Sequence, residues 1–484
     1  IMTLTNDEKN NFFVSTLSKI KFQNNDIGYI VVSEQANDII TAVKERKAFI
    51  VRTMFAVAIV ILIFSVQNLY AADFYKALQD AYLSNPELNA ERKNISVSDE
   101  DLKISKSEFL PSVTITGTKS EATTKKLTDR DGTDASITDV DTETQTVTIE
   151  QKVFQGLGGK ADLEKSKIGV NLAKAKLLKK EQEVILSAAE AFTGVILANK
   201  KFKINKENLD LLERQVETDQ NRLESGIITL ADLAQSESSL AGAQAQFISS
   251  QNDLVTAKLL YEKIIGPLDD IDSLGEEVNI EFDIPTSLQN AIQISKGNNP
   301  DLTIAKLEYD QSEKDVKIAL SEFSPSATIS AKSSKSDDFS SSYDEREQET
   351  VSAEISWPIF QGGKNSASLE RSKNLQNRKQ LLLDNAVRTN ETNVASAWSK
   401  FQSSDSLLSS VRAQVKAAEI AHEGITVEYE TGLGRTTLDV IQSNTILLTA
   451  RINLANSERN LLLSQLELLK SVGLLNAKYL NIIK

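Results

Sequence analysis

The strongest constraint on this chain is that it is written twice. "NPELNAERKNISVSDEDLKISKSEFLPSVTITG", from Asn85, matches "NPDLTIAKLEYDQSEKDVKIALSEFSPSATISA", from Asn299, and Pro86, Phe109 and Pro111 align with Pro300, Phe323 and Pro325. "VFQGLGGK" (Val153–Lys160) matches "IFQGGK" (Ile359–Lys364), and Asp232 and Gly266 align with Asp439 and Gly473. Self-similarity of this kind means that one supersecondary unit is used twice. The two units span roughly 73–280 and 281–484.

Each unit has the same order. A helix rich in Lys and Glu runs to Phe109 or Phe323, where Pro111 or Pro325 stops it. Two stretches of period-2 alternation follow, "VTITGT" and "TQTVTIEQKVF" in the first unit, "SATISA" and "ETVSAEISWPIF" in the second. They predict β-hairpins over 111–154 and 324–360, with Val113, Ile115 and Gly117 on one face and Thr114 and Thr116 on the other. The polar segments between the strands, rich in Ser, Thr and Asp, read as long solvated loops.

No proline interrupts Gly159–Gly226 or Gly363–Gly432, so each stretch predicts a helix about 100 Å long at 1.5 Å per residue. At "LESGIITLADL" and "YETGLGRTTLDV" the chain turns and returns, giving helical hairpins over 159–266 and 363–473. The return helix carries a heptad row, Val440, Leu447, Leu454, Leu461 and Leu468, beside a small-residue row, Ser443, Ala450, Ser457 and Ser464. The first unit repeats both, with Leu233, Leu240, Phe247, Leu254 and Tyr261 beside Ser236, Ala243, Ser250 and Ala257. Sevenfold spacing implies coiled-coil packing, and a small row suits close helix contacts.

Composition narrows the function class. Glycine (19) and proline (7) are scarce among 484 residues, which favours long helices over a loop-rich enzyme. A net charge of −14 argues against a nucleic-acid partner. The absence of cysteine fits an extracytoplasmic compartment and excludes thiolate chemistry. "MFAVAIVILIFSV" (Met54–Val66) is too short to span a bilayer as a helix. With Lys44, Arg46, Lys47 and Arg52 before it and Ala71 and Ala72 after it, it reads as a secretory signal over 51–72. A signal normally stands first, so residues 1–50 read as an over-extended N-terminus that could hold a small structured piece.

Four alternating strands cannot close a membrane barrel, because every backbone group in lipid must be paired and about eight strands are the minimum. Three chains would supply twelve. Phe154, Trp357 and Phe360 fall at the strand–helix junctions, where an interfacial aromatic belt would lie.

Taken together, "NPEL"/"NPDL", "FLPSVTITG"/"FSPSATISA", "VFQG"/"PIFQGGK" and the turns followed by "AQSESSL"/"IQSNTIL" resemble the TolC-like outer-membrane efflux protein family over about residues 73–475. The resemblance implies a mostly α fold with β: a homotrimer in outer-membrane lipid, a twelve-stranded β-barrel, and a long α-helical barrel projecting into the periplasm. It implies a duct for efflux of small molecules or type I secretion of proteins, coupled to a periplasmic adaptor and an inner-membrane transporter. No cofactor, metal or catalysis is implied.

The same resemblance assigns the tips. Asp232 and Asp439 would form carboxylate rings at the periplasmic entrance, favouring cations. Tyr429 and Arg435 would tether the second hairpin, with Asp232 as the counterpart of Arg435. Gly226, Ile227, Gly432 and Leu433 would dock the adaptor. Two departures stand out: the second tip has one extra residue between Gly432 and Asp439, and Gln442 occupies a position where some members carry a further acid. The plainer reading of Asp232 and Asp439 is helix N-capping.

Other motifs carry less. "GLGGK" lacks phosphate-loop spacing and reads as a flexible strand-to-helix link. His422 is the only histidine, so it cannot complete a histidine cluster or triad within one chain. Asp337 and Asp338 read as solvated loop residues. The competing functional class is a secreted periplasmic coiled-coil scaffold without a pore, which would leave the alternating strands without a role.

Overall fold

The structure, a computed structural model, describes residues 2–6, 12–22, 25–35 and 74–482, except 129, 133, 136–137, 269, 272–273, 275–281, 341–342, 433 and 481. The signal expected over 51–72 and the boundary between the two units near 280 lie outside the described residues. Two compact units are resolved, residues 1–71 and 72–484. In the first, β1 (Met2–Asn6), β2 (Phe12–Phe22) and β3 (Asn25–Gln35) form an antiparallel meander in the order β1-β2-β3. Met2 lies opposite Thr16, and Phe13 opposite Gln35.

The second unit begins with α1 (Phe74–Ser84) and α2 (Pro86–Ser107). Next come β4 (Ser112–Thr124), a small β5–β6 pair (Leu127–Thr128 with Asp134–Ala135), and β7 (Thr138–Gln155). The 67-residue α3 (Gly158–Glu224) and the 35-residue α4 (Leu230–Ile264) complete the first copy. The second copy repeats the order with α5 (Leu288–Asn298), α6 (Pro300–Ser321), β8 (Ser326–Ser340), β9 (Tyr343–Ser356), α7 (Lys364–Glu430) and α8 (Thr437–Ser471). Again the long helix has 67 residues and the return helix 35.

The duplicated motifs are helix starts with a physical cause. Asn85 and Asn299 are N-caps: Asn85 Oδ1 accepts from the Leu88 amide at 3.1 Å, and Asn299 Oδ1 from the Asp301 amide at 2.8 Å. Pro86 and Pro300 occupy N1, where a missing N–H costs nothing and φ is already helical. Because α2 and α4 together run alongside α3, and α6 and α8 alongside α7, each long helix is flanked by two shorter ones. Asn299 Nδ2 donates to the Ser471 carbonyl at 2.9 Å, so α6 starts against the end of α8. Gly473 closes this joint at φ +83°, where a Cβ would lie 2.3 Å from the Asn298 carbonyl oxygen.

The main core sits at this waist. Phe192 of α3 packs edge-on against Phe74 with ring centroids 5.3 Å apart, and Tyr261, Leu466, Leu469 and the tail residues Leu475 and Leu480 join it. Along the return helix α8 the small row lies buried in the seam. Ser443, Ala450, Ser457 and Ser464 are all buried, as are Val440, Leu447 and Leu468 of the heptad row, while Leu454 and Leu461 between them are half-buried. Small side chains let the helices approach closely, which is why they occupy the seam.

Two expectations are corrected. The polar segments between the strands are mostly strand: β4 runs to Thr124, β7 starts at Thr138, and only 341–342 separates β8 from β9. Their Ser and Thr residues suit a pleated surface, and cross-strand pairs such as Lys119–Glu143 (2.8 Å) hold them. The Gly-rich link is packed rather than flexible in the first copy. A Cβ on Gly156 would lie 2.4 Å from Ser324 Cβ, and one on Gly158 would lie 2.2 Å from Ser321 Oγ.

Candidate functional site

Two regions concentrate functional geometry: the sheet and the hairpin tips. The sheet is antiparallel in the order β4-β7-β8-β9. Val113 faces Ile149, Ile149 faces Ala331, and Ala331 faces Val351. Side chains alternate across a pleat, so these residues share one face with Ile115, Val147, Ile329 and Ile355. Those eight residues form a band of which only Ala331 is not exposed; Val351 is 81 % exposed and Ile355 77 %. The opposite face is hydroxylated and acidic, with Thr114, Thr116, Thr148, Glu150, Thr328, Ser330 and Glu354. Among the described residues, no strand lies outside β4 or β9, so both long edges are open.

Phe154, Trp357 and Phe360 lie at the strand–helix junctions and are exposed. Trp357 Nε1 donates to the Phe323 carbonyl at 3.0 Å, tying the end of β9 to the end of α6. No helix among the described residues is long and apolar enough to cross a membrane.

At the tips, each turn ends a long helix and caps its return. Gly226 takes φ +69°; its amide donates to the Leu223 carbonyl at 2.9 Å and that of Ile227 to Arg222 at 2.8 Å. This paired bonding is the glycine C-cap that α3 needs. Gly432 (φ +76°) donates to Tyr429 at 3.3 Å in the second tip. Gly226, Ile227 and Gly432 are exposed, and Leu433 lies outside the described residues.

Asp232 and Asp439 occupy the third helical position of a reciprocal cap, with Thr229 and Thr436 as the N-caps. Asp232 Oδ2 accepts from the Thr229 amide at 2.9 Å and its hydroxyl at 2.7 Å, while the Asp232 amide donates back to Thr229 Oγ1 at 3.3 Å. Asp439 and Thr436 repeat the arrangement at 2.9, 2.9 and 3.3 Å. Both carboxyls are held below their ordinary range, first by the threonine amide and then by the threonine hydroxyl. The cap proton donors therefore favour the charged form.

Tyr429 is buried at the end of α7, and its hydroxyl donates to Asp219 Oδ1 of α3 at 2.7 Å. Asp219 is fully buried and also accepts from Gln215 Nε2 at 3.0 Å and Ser236 Oγ of α4. The Tyr429 oxygen lies 3.0 Å from Thr437 Oγ1 of α8. Arg222, one turn beyond Asp219, stacks its guanidinium 4.1 Å from the Tyr429 ring centroid. All four helices of the two hairpins, α3, α4, α7 and α8, thus meet at one polar knot. Burial foremost raises the Tyr429 hydroxyl above its usual value, keeping it a donor.

The expected Arg435–Asp232 pair is not made within the protomer: Arg435 Nε bonds Glu428 Oε2 at 2.6 Å, on its own hairpin. Asp219, Arg222 and Gln215 were not legible as site residues. One of three acids in the polar run "VETDQNRLESG", Asp219 gives no sign of burial in sequence; only the small-residue row, through Ser236, marked the seam facing it. Among the described residues there is no group of His, Asp and Glu that could hold a metal ion.

A family model described as "Outer membrane efflux protein" matches residues 77–266 and 291–474, the two copies in turn. Outer membrane efflux protein BepC of Brucella suis is 24% identical over 411 residues, covering 84% of this chain and 86% of the relative. Outer membrane protein TolC of Escherichia coli is 23% identical over 421 residues, covering 84% and 83%. The crystal structure of the Campylobacter jejuni CmeC outer membrane channel shares the fold, with a TM-score of 0.73 at 16% identity, over 84% of this chain and 87% of that one.

Proposed function

Because this chain belongs to the outer membrane efflux protein family, we propose that three copies assemble into an export duct through the outer membrane. The carrying observation is the sheet, with one face apolar and exposed, the other polar, and both edges open. In a bilayer the apolar band faces lipid, and the edges must be paired. Closing β9 of one copy on β4 of the next satisfies both demands, and twelve strands are reached with three copies. The hydroxylated face then lines a water-filled lumen.

Below the barrel, the 67-residue helices give a stem about 100 Å long, reaching into the periplasm. The knot at Asp219 and Tyr429 holds the second hairpin against the first and acts as the latch of the entrance. Asp232 and Asp439, ionised by their caps, place negative charge at the same end and bias passage toward cations. Arg435 strengthens the second tip through Glu428. The exposed tip residues Gly226, Ile227 and Gly432, together with Leu433, dock a periplasmic adaptor, which couples the duct to an inner-membrane transporter. That transporter supplies the energy and selects the cargo, whether small molecules or proteins.

Negative-stain electron microscopy of the chain extracted from outer membranes in detergent tests the reading. Threefold particles with a hollow stem and a barrel cap are expected. A protein soluble without detergent, forming solid rods, would replace the duct with a periplasmic scaffold.

A further inference from the structure

The internal repeat supplies a template for the contact between neighbouring copies, and from it we propose the register and residues of that interface. The inference rests on the duct reading, and adds which residues of a second copy meet which residues of the first.

The two hairpins match residue for residue. Val113 faces Ile149 as Ala327 faces Ile355, and Thr116 faces Thr146 as Ser330 faces Ser352. The seam between repeats is also fixed: β7 pairs with β8, with Ile149 opposite Ala331 and Gln151 opposite Ile329. The equivalent of β7 is β9, and the equivalent of β8 is β4. Carrying the seam onward places Ile355 of one copy opposite Gly117 of the next, and Trp357 opposite Ile115. The phase is correct, since Ile115 and Gly117 lie on the apolar face with Ile355. A large apolar side chain then covers the one position of the four-stranded sheet without a Cβ, where Gly117 has nothing within 4 Å.

The helices agree. Between repeats, Lys165 of α3 pairs with Asp315 of α6 at 2.7 Å. The equivalent positions are Arg371 on α7 and Asp101 on α2, again opposite in charge. The neighbouring pair Lys314–Glu164 (2.7 Å) becomes Glu100 and Glu370, and each of these has its own lysine one turn on, Lys103 and Lys373, both at 2.7 Å. No uncompensated acid is created.

Burial gives a third, independent sign. Ala455, Leu462 and Leu466 of α8 are buried, at 7, 8 and 0 % exposure. Their equivalents on α4, Ile248, Val255 and Leu259, are 64, 55 and 61 % exposed. The α3 positions that meet α8 or the knot, Lys200, Asn208 and Gln215, correspond on α7 to Ser406, Gln414 and Ala421, all exposed. The exposed apolar residues of α4 thus meet α7 of the adjacent copy, as their buried equivalents on α8 meet α3 within one chain.

The chain has no cysteine, so disulfide mapping is clean. The full-length Gly117→Cys/Ile355→Cys variant is oxidised in outer membranes, with Gly117→Cys/Val351→Cys as control. Val351 shares the face but lies about 13 Å further along the strand, beyond disulfide reach. Each single variant must first show the native mass of three chains. The expected result is a covalent trimer, reversed by reductant, for the first pair and not the control. Crosslinking of the control alone, or of neither pair in a particle with the mass of three chains, overturns this interface and leaves the duct intact. A single-chain mass for the unmodified protein in detergent overturns both.

Discussion

The Tyr429 hydroxyl donates to Asp219 at 2.7 Å, joining two helices through residues 210 positions apart in the chain. Tyr429→Phe removes that donor and leaves Asp219 with Gln215 and Ser236. A hydrogen bond to a charged group is worth about 1.5–3 kcal/mol, so the population of the open tip rises by about tenfold or more. Single-channel conductance in planar bilayers reads this directly. Asp219→Asn acts in the same direction, and unchanged open probability in both variants would remove the knot from the gate.

The two capping boxes separate charge from structure. Asp232→Asn with Asp439→Asn keeps an acceptor for the threonine amide and removes the charge, so cation preference in reversal-potential measurements falls while the fold persists. Thr229→Ala or Thr436→Ala loses a cap worth about 0.5–2 kcal/mol, and the adjacent tip amides exchange faster. Equal ion selectivity in the Asp→Asn variant and the parent would confine both aspartates to capping.

How much of this was visible in sequence follows from what each feature needs. The repeat, the long helices and their turns were legible because proline spacing, glycine position and heptads are local and periodic. The apolar face of Val113 and Ile115 was legible for the same reason. The full length of β4 and β7 was not, since their polar ends alternate Thr with charge and carry no apolar period. The knot was also hidden: Asp219 resembles any solvated helix acid, and only the fold brings Tyr429 to it. Asp232 and Asp439 were expected as possible caps; the structure places threonine at the N-cap and the aspartate three residues on.

His422 gives the second hairpin a pH dependence. Its Nδ1 lies 2.9 Å from Ser443 Oγ of α8, and burial first, then Arg451, lowers its pKa below the ordinary 6.5. The unfolded chain therefore binds this proton more readily than the folded one. Its contribution is complete above pH 6.5 and is lost as pH falls from there through the folded value. Hydrogen exchange around residues 420–445 should quicken below that pH, and His422→Gln should flatten the response. Identical profiles would show that the imidazole is not coupled to the hairpin.

The sheet predicts opposite outcomes for neighbouring residues. Ile115 is 75 % exposed on the apolar face, while Thr116, next in sequence, points to the polar one. An arginine on the lipid side costs about 2–4 kcal/mol near the bilayer midplane and little on the lumen side. Ile115→Arg should therefore reduce the heat-resistant assembled form recovered from outer membranes, whereas Thr116→Arg should leave assembly intact and lower conductance by narrowing and charging the lumen. Seminative gels and bilayer recordings measure the two effects separately. If both substitutions were equally tolerated in assembly, the apolar band would not face lipid, and the open edges of β4 and β9 would have to be covered in water.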